Sequence, residues 1–557
     1  MNVSRDYLKL QNGSDIRGVA LPGVPGEDVN LDEIAAEYIG YAFAKWLDEK
    51  INDAGASGPA DTGTGTNAPA QNLTVSIGRD PRLSGEKLAG AFANGLVRAG
   101  VTVYDCGLAS TPAMFMSTIF DSFTCDGAVM ITASHLPFNR NGFKFFDKDG
   151  GLNKEDIKAI LTMAQELENS EESENAGASS GSIEQKDLMD RYCMHLRELI
   201  CDGIGCCSNE AVGNDCCRQT ASSDDGKNDA ACSDNNNLPL SGLKIVVDAG
   251  NGAGGFYADK VLEPLGAEVI GCYLEPDGSF PNHIPNPENK EAMASICKAV
   301  TDSNADLGII FDTDVDRSAA VDENGHEIAR NGIVALAAAL VGEKHPGTTV
   351  VTDSITSDQL NVFLEKDLGM KHLRFKRGYK NVINKAIELN ESGEESYLAI
   401  ETSGHAAIRD NHFLDDGAYL ATLIVVKTAK LAQEGKKISS MISALEEPAD
   451  ATEIRMKLSG EDFGATGDKI LSELESWIGT APEFSLVLPN YEGVRARFTG
   501  KDENGNDISG WFLLRKSLHD PIMPLNIESD QEGGCKVIAS CLKAFLEKYD
   551  ALDSGEL

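Results

Sequence analysis

No apolar run in this chain is long enough to cross a bilayer. The longest, 334–341 and 422–426, reach less than half of the ~20 residues that a spanning helix needs. Positive charge is scarce as well: 49 Lys and Arg stand against 88 Asp and Glu, a formal net charge of −39. A field of that sign repels polyanions, so neither nucleic acid nor a membrane is an expected partner. It also repels phosphorylated small molecules, unless Arg, Lys or a metal-binding loop is concentrated locally. No Cys-x-x-Cys pair occurs. Of the thirteen cysteines, Cys206, Cys207, Cys216, Cys217 and Cys232 fall in one Asn/Asp-rich stretch, and the other eight are scattered. That usage argues against a disulfide framework and zinc, and for a reducing compartment. Residues 1–13 carry neither an apolar signal core nor an Arg/Ser-rich transit pattern. The expected location is cytoplasmic, with a plastid left open should a transit segment precede residue 1.

What is present is a long chain, 557 residues, with 41% hydrophobic residues. Length alone suggests three to five domains. Three stretches, 53–71, 169–182 and 202–237, lose hydrophobic periodicity and read as inserts or linkers. Between them strand-like runs alternate with helix-length segments. Strands are predicted at 73–77, 101–106 and 128–132, with a helix at 85–98. The pattern restarts at 243–248, with a helix at 255–265 and strands at 268–273 and 307–311. It restarts again at 348–352, with strands at 373–375 and 397–401 and a helix at 418–433. The last hundred residues differ, with strands at 484–488, 493–498 and 510–515 and a closing helix at 532–549. The expected fold is α/β with four domains: three similar α/β domains with mixed, mostly parallel sheets, and a smaller C-terminal α+β domain. Boundaries are placed at 1–200, 201–342 (opening with the insert 202–237), 343–450 and 451–557.

Two stretches carry chemistry. In Ala128-Val-Met-Ile-Thr-Ala-Ser-His-Leu-Pro-Phe-Asn-Arg-Asn-Gly-Phe-Lys144 an apolar strand runs into Ser134 and His135, then into a polar loop with Asn141, Gly142 and Lys144. Ligands bind at the carboxyl ends of parallel strands. A serine there can carry a phosphoryl group if cations neutralise it, with Lys144 or His135 moving protons. Taken alone, Ser-His is more often an ordinary loop, and no Gly-x-Ser-x-Gly elbow marks a hydrolase. In Leu307-Gly-Ile-Ile-Phe-Asp-Thr-Asp-Val-Asp-Arg-Ser318 the carboxylates of Asp312, Asp314 and Asp316 can face one point, where they repel one another unless a hard divalent cation joins them. All-oxygen ligation by few residues suits Mg²⁺, and Arg317 adds a fixed charge. A solvated acidic turn is the plainer reading, disfavoured by the apolar strands on either side.

Together these segments resemble the phosphoserine and metal loops of the α-D-phosphohexomutases, with Leu136 where that family usually has Asn and Thr313 where it has Gly. Gly13-Ser-Asp-Ile-Arg-Gly18, Gly78-Arg-Asp-Pro-Arg82 and Glu401-Thr-Ser-Gly-His405 resemble further motifs of the same family, in the same order, across nearly the whole chain. The resemblance implies four domains around a central cleft and a phosphoserine enzyme of the phosphoglucomutase/phosphomannomutase type. Such an enzyme interconverts hexose 1- and 6-phosphates (glucose and/or mannose) through a hexose 1,6-bisphosphate. By motif position it implies Ser134 as phosphoryl carrier and, with Asp312, Asp314 and Asp316, as a ligand of Mg²⁺. Arg17 and Lys144 are the implied proton-transfer groups, and His135 would help hold the serine loop. Glu401, Ser403 and His405, with Lys380 and Arg317, are the implied substrate contacts.

The sequence departs from the family at two places. Trp511-Phe-Leu-Leu-Arg-Lys-Ser-Leu-His-Asp-Pro521 keeps Arg515 and Ser517 for a phosphate, but Leu518, His519 and Asp520 replace Gly, Thr and Glu. Pro524 stands where an Arg is common, leaving Asn526 or Arg495 as substitutes. Lys376-Arg-Gly-Tyr-Lys380 replaces Thr-Pro-Val-Gly-x-Lys. Two alternatives stay open: a phosphoglucosamine mutase, or a sugar-phosphate-binding homologue without catalysis. Gly250-Asn-Gly-Ala-Gly-Gly255 lacks dinucleotide-loop spacing and is expected to pack a helix on its strand. A monomer or homodimer is expected.

Overall fold

Five consecutive residues, Gly127–Ile131, form a strand buried at every position. The first sheet is built around it in a computed structural model that describes residues 5–56, 73–170, 181–205, 238–460, 462–517, 520–555 and 557. The expected inserts lie largely outside the described residues, as do the five clustered cysteines. On one side of Gly127–Ile131 run the parallel strands Thr74–Arg79, Thr102–Leu108 and Ser182–Gln185. On the other lies Arg140–Asp147, antiparallel, followed by Asp15–Val19 and Gln11–Asn12. Asn141, Gly142 and Lys144, expected in a polar loop, therefore sit inside the sheet. The Ser134 segment returns the chain on itself, and the returning polar residues are buried against partners on other elements: Asn141 bonds Ser84, and Lys144 meets Asp314 and Asp316.

Helix Gly85–Arg98 begins and ends where its composition predicts. It crosses helix Glu33–Ala56, which the sequence reading leaves unassigned, with almost no spacing. A Cβ on Gly40 would meet the Phe92 carbonyl at 2.3 Å, and one on Gly95 the Glu37 carbonyl at 2.0 Å. Only glycine admits that approach. Phe43, Phe92, Phe143 and Phe145 fill the core below.

The second sheet has the order Glu268–Cys272, Lys244–Asp248, Leu307–Phe311, Ser318–Val321, Glu327–Ile328, parallel across the first three and antiparallel after. The helix expected at 255–265 is instead a 3-10 turn (Ala253–Gly255), a π-helical turn (Tyr257–Leu262) and a second 3-10 turn (Glu263–Leu265). Pro264 has no N–H to continue an α-helical ladder there.

The chain divides into two compact units, 1–329 with 403–441 and 330–402 with 442–557. The first holds both sheets above, the hairpin Ala406–Ile408/Leu414–Asp415 and helix Gly417–Gln433. The second holds three parallel strands, Lys371–Arg374, Thr349–Thr352 and Leu398–Ile400. It also holds an antiparallel sheet ordered Asp450–Lys457, Ile522–Ser529, Asp507–Leu514, Val494–Lys501, Phe484–Leu486. Helices Phe463–Ile478 and Gly534–Leu546 pack in the core of that sheet. Along the chain this amounts to three α/β domains with mixed sheets and a small C-terminal sheet domain. Among the described residues no helix is long and apolar enough to cross a membrane, and the eight described cysteines are free.

Candidate active site

Ser134 follows strand Gly127–Ile131 in a left-handed turn, φ +49°, a conformation that costs a non-glycine residue energy and persists only where its surroundings enforce it. The enforcement is visible. Its N–H donates to Thr132 Oγ1 at 2.8 Å, and its carbonyl accepts from the Arg82 guanidinium. Arg82, itself buried, also donates to the carbonyls of Leu136, Pro137 and Arg140 and pairs with Asp80. One arginine thus gathers the carbonyls of the whole serine loop. The Ser134 hydroxyl, held in this way, donates to Asp312 Oδ2 (3.2 Å) and accepts from Arg317 Nη2 (3.1 Å).

Asp312, Asp314 and Asp316 leave strand Leu307–Phe311 fully or almost fully buried, with one oxygen from each within 4.8 Å of the others. Val315 between them has φ +68°, an outlier for a β-branched residue, and Gly417 N–H fastens its carbonyl. Burial, then the charge of Asp316, pushes the Asp312 carboxyl well above the carboxylate range. Burial acts the same way on Asp316, but Lys144 and His405 hold it well below that range. Asp314 Oδ1 and Asp316 Oδ1 are buried without a hydrogen-bond partner. Three hard oxygens in one place, two of them orphaned, fit a divalent cation.

Lys144 Nζ reaches Asp314 Oδ2 at 3.1 Å and pairs with Asp316. Burial opposes its charge, but these acids raise it well above an ordinary lysine, so it is a firmly protonated ammonium. Arg17 lies on Asp15–Val19 opposite Gly142, where a Cβ would strike Ile16 O at 2.0 Å and Arg17 Cδ at 2.9 Å. Its guanidinium donates to the Thr132 carbonyl and to Asp15 (2.7 Å). His135 Nδ1 accepts from Arg317 Nη2 at 2.8 Å. The Arg317 charge, then burial, depresses this imidazole to about 2, which favours the neutral ring. His405 Nδ1 meets Ser403 Oγ at 2.9 Å, and Nε2 lies 3.7 Å from Asp316 Oδ1. Burial disfavours its charge, but Asp316 raises it to about 9.

In the first unit the structure therefore brings together Ser134, His135, Lys144, Asp312, Asp314, Asp316, Arg317, Ser403 and His405, with Arg17 bound to the Thr132 carbonyl of the same loop. The remaining substrate candidates belong to the second unit. Glu401 Oε1 accepts the Gly378 N–H at 2.6 Å, and Lys380 lies in the first turn of helix Tyr379–Glu391. Arg515 is buried with Nε lacking a hydrogen-bond partner, and Ser517 Oγ accepts from Asp520 N–H at 3.2 Å. The two substitutes are committed elsewhere. Arg495 bonds the carbonyls of Ser354 and Thr356 and stacks on Trp511 at 3.5 Å, while Asn526 donates to Glu453. His519 lies outside the described residues.

Sequence reasoning missed Thr111, whose hydroxyl donates to Asp314 Oδ2 and whose N–H donates to the Asp314 carbonyl at 2.8 Å. Its only local signal is the Ser110-Thr-Pro start of helix Thr111–Met116. It assigned no role to Arg82 or Asp80, although it quoted their motif.

Known proteins agree with this layout. Family models described as phosphoglucomutase/phosphomannomutase alpha/beta/alpha domains I, II and III match residues 60–171, 226–325 and 329–448. A Pseudomonas putida phosphomannomutase/phosphoglucomutase is 29% identical over 86% of this chain and 88% of its own. A Neisseria gonorrhoeae phosphoglucomutase is 26% identical over 98% of both chains. The crystal structure of a phosphoglucomutase/phosphomannomutase family protein from Burkholderia thailandensis superposes with a TM-score of 0.69 at 26% identity, covering 97% of this chain and 98% of that one. With three consecutive family domain models matched in order over more than half of its length, the chain belongs to the phosphoglucomutase/phosphomannomutase family of α-D-phosphohexomutases.

Proposed function

We propose that this protein interconverts hexose 1-phosphate and hexose 6-phosphate, of glucose and/or mannose, with Ser134 carrying the phosphoryl group between turns of a hexose 1,6-bisphosphate. The observation that carries the reading is the position of Ser134 Oγ, between Arg317 Nη2 at 3.1 Å and Asp312 Oδ2 at 3.2 Å. A serine used only for structure has no need of a left-handed φ and a hydroxyl set between a buried arginine and a buried acid.

Asp312, Asp314 and Asp316, with an oxygen on Ser134, would hold Mg²⁺, which when bound supplies positive charge for a phosphoryl oxygen. The chain's own groups do the rest. Arg82 and His135 fix the loop, and Arg317 faces the phosphoryl position with a charge that burial cannot remove. In the forward step a sugar hydroxyl attacks phosphorus on Ser134, the bond from phosphorus to Oγ breaks, and the proton given to Oγ is replaced by the one the sugar hydroxyl loses, so the step is proton-neutral. Arg17 and Lys144 are the cations assigned to that proton traffic, Lys144 as the donor given its protonation. Glu401, Ser403 and His405 are assigned to sugar hydroxyls, with Lys380. Arg515, with its unsatisfied Nε, and Ser517 are assigned to the remote phosphate.

The proposed domains run over 1–200, 201–342, 343–450 and 451–557, one carrying each of the serine, metal, sugar and phosphate loops. A cytoplasmic monomer or homodimer that binds no nucleic acid completes the reading. The test is a coupled assay of purified protein with Mg²⁺, a trace of glucose 1,6-bisphosphate, and glucose or mannose 1-phosphate. Folded protein that yields no 6-phosphate from either sugar would sink it.

A further inference from the structure

The Gly-rich turn after strand Lys244–Asp248, which is no dinucleotide loop, clamps a segment of the second domain. Asn251 N–H donates to the Tyr273 carbonyl and its Nδ2 to the Glu275 carbonyl, both at 2.8 Å. Asp277 N–H and Asn282 Nδ2 return bonds to Asn251. An imidazole and a carboxyl close the clamp. His283 Nε2 lies 3.1 Å from both oxygens of Asp248, and Nδ1 lies 3.1 Å from the Ile284 carbonyl. Both ring nitrogens face acceptors, which favours the doubly protonated ring; burial opposes that charge, but Asp248 raises His283 above an ordinary imidazole. Asp248 is 0% exposed and His283 7%, more burial than a surface loop needs.

The clamped loop, 274–289, reaches both arginines that hold Ser134. Phe280 lies under the Arg82 guanidinium, 5.4 Å from its centre, and Arg82 gathers the serine-loop carbonyls. At the other end, Asn286 Oδ1 lies 3.4 Å and Glu288 Oε2 3.8 Å from Arg317 Nη1, on the guanidinium whose Nη2 meets Ser134 Oγ. A planar guanidinium has its direction set by what its other nitrogens bond.

We propose that Asp248 and His283 form a positioning pair for phosphoryl transfer, holding loop 274–289 so that Phe280, Asn286 and Glu288 aim Arg82 and Arg317 at Ser134. The proposal deepens the mutase reading and rests on it for its kinetic arm. Neither residue touches a reacting atom, so the effect is one of geometry, where a displacement of about 1 Å can cost on the order of a hundredfold in rate.

The test compares wild type, His283→Gln and His283→Leu. Gln retains an N–H donor for Asp248; Leu does not. His283→Leu is expected to lower kcat for glucose 1-phosphate roughly 10- to 100-fold with KM within about twofold, and His283→Gln to recover most of that loss. Amide hydrogen exchange in 132–137 and 312–318 is expected to accelerate in His283→Leu but not in His283→Gln. Wild-type kcat in folded His283→Leu, an effect confined to KM, equal loss in both variants, or unchanged exchange would each overturn the proposal. Should His283→Leu not fold, Phe280→Leu takes its place, with faster exchange expected at 132–137 and unchanged exchange overturning the idea. Exchange needs no turnover. A wild type without mutase activity therefore removes the functional reading alone and leaves the positioning pair to be decided by exchange.

Discussion

Arg317 holds Ser134 and Asp312 at once, with Nη2 3.1 Å from the Ser134 hydroxyl and Nε 3.0 Å from Asp312 Oδ2. Both side chains are buried, and the guanidinium's fixed fork is not interchangeable with a looser donor. Arg317→Lys keeps the charge and loses the fork. A charge-assisted hydrogen bond is worth about 1.5–3 kcal/mol, so mutase activity is expected to fall roughly 10- to 100-fold with little loss of fold. Arg317→Ala takes the guanidinium away from buried Asp312, and is expected to cost about 1–3 kcal/mol of stability in urea denaturation. Equal stability of Ala and Lys variants would show that the pair is not buried in solution.

Ser134→Ala and Ser134→Gly should both leave under ~1% of activity, since neither offers a phosphoryl acceptor. They should differ in stability. At φ +49° an alanine keeps the left-handed strain that glycine escapes, so the Gly variant is expected to be more stable than the Ala variant by about 1 kcal/mol. Thermal melts of the two variants check the turn, and the assay checks the carrier.

Mg²⁺ is expected to raise the melting temperature of wild type, because a ligand held at a hundred times its Kd adds about 2.7 kcal/mol. Asp314→Asn should lose most of that rise and demand far more Mg²⁺ for activity. The substitution also weakens the pairing with Lys144 and Thr111, so the melt must be run with and without metal. An unchanged metal titration would take Asp314 out of the site.

How far this site could be read in advance depends on distance along the chain. Ser134 and the acid trio are legible because each is local: an apolar strand, then polar residues at its end. Helix Gly85–Arg98 is legible for the same reason, through its periodicity. Lys144 reads as part of a loop but lies on a strand, because that strand carries Asn141, Gly142 and Lys144 where a strand normally shows apolar residues. The function that buried them disguised the structure. Thr111 with Asp314, 203 positions apart, and Phe280 with Arg82 leave no periodic trace at all. They are set by how separately formed elements pack, which a pattern confined to one element cannot report.

Asp416 makes the last prediction, one that depends on fold rather than catalysis. Its carboxylate caps helix Gly417–Gln433 at the Tyr419 N–H (2.8 Å) and accepts from Tyr192 Oη at 2.6 Å and Asn411 Nδ2 at 3.1 Å. Three donors favour the charged form, yet full burial outweighs them and lifts the group to about 6, against about 3.9 for a free aspartate. The folded state thus binds this proton more tightly than the unfolded state. Its contribution to stability is whole below about pH 4 and is lost as pH rises through about 6. The gap corresponds to about 3 kcal/mol. Asp416→Asn cannot ionise, so its stability relative to wild type should improve by up to about that amount between pH 4 and pH 7, whatever the constant cost of replacing an acceptor with an amide. Parallel urea denaturation of both proteins at the two pH values reads the difference directly. A stability gap that does not move with pH would mean that the three hydrogen bonds, and not burial, govern Asp416.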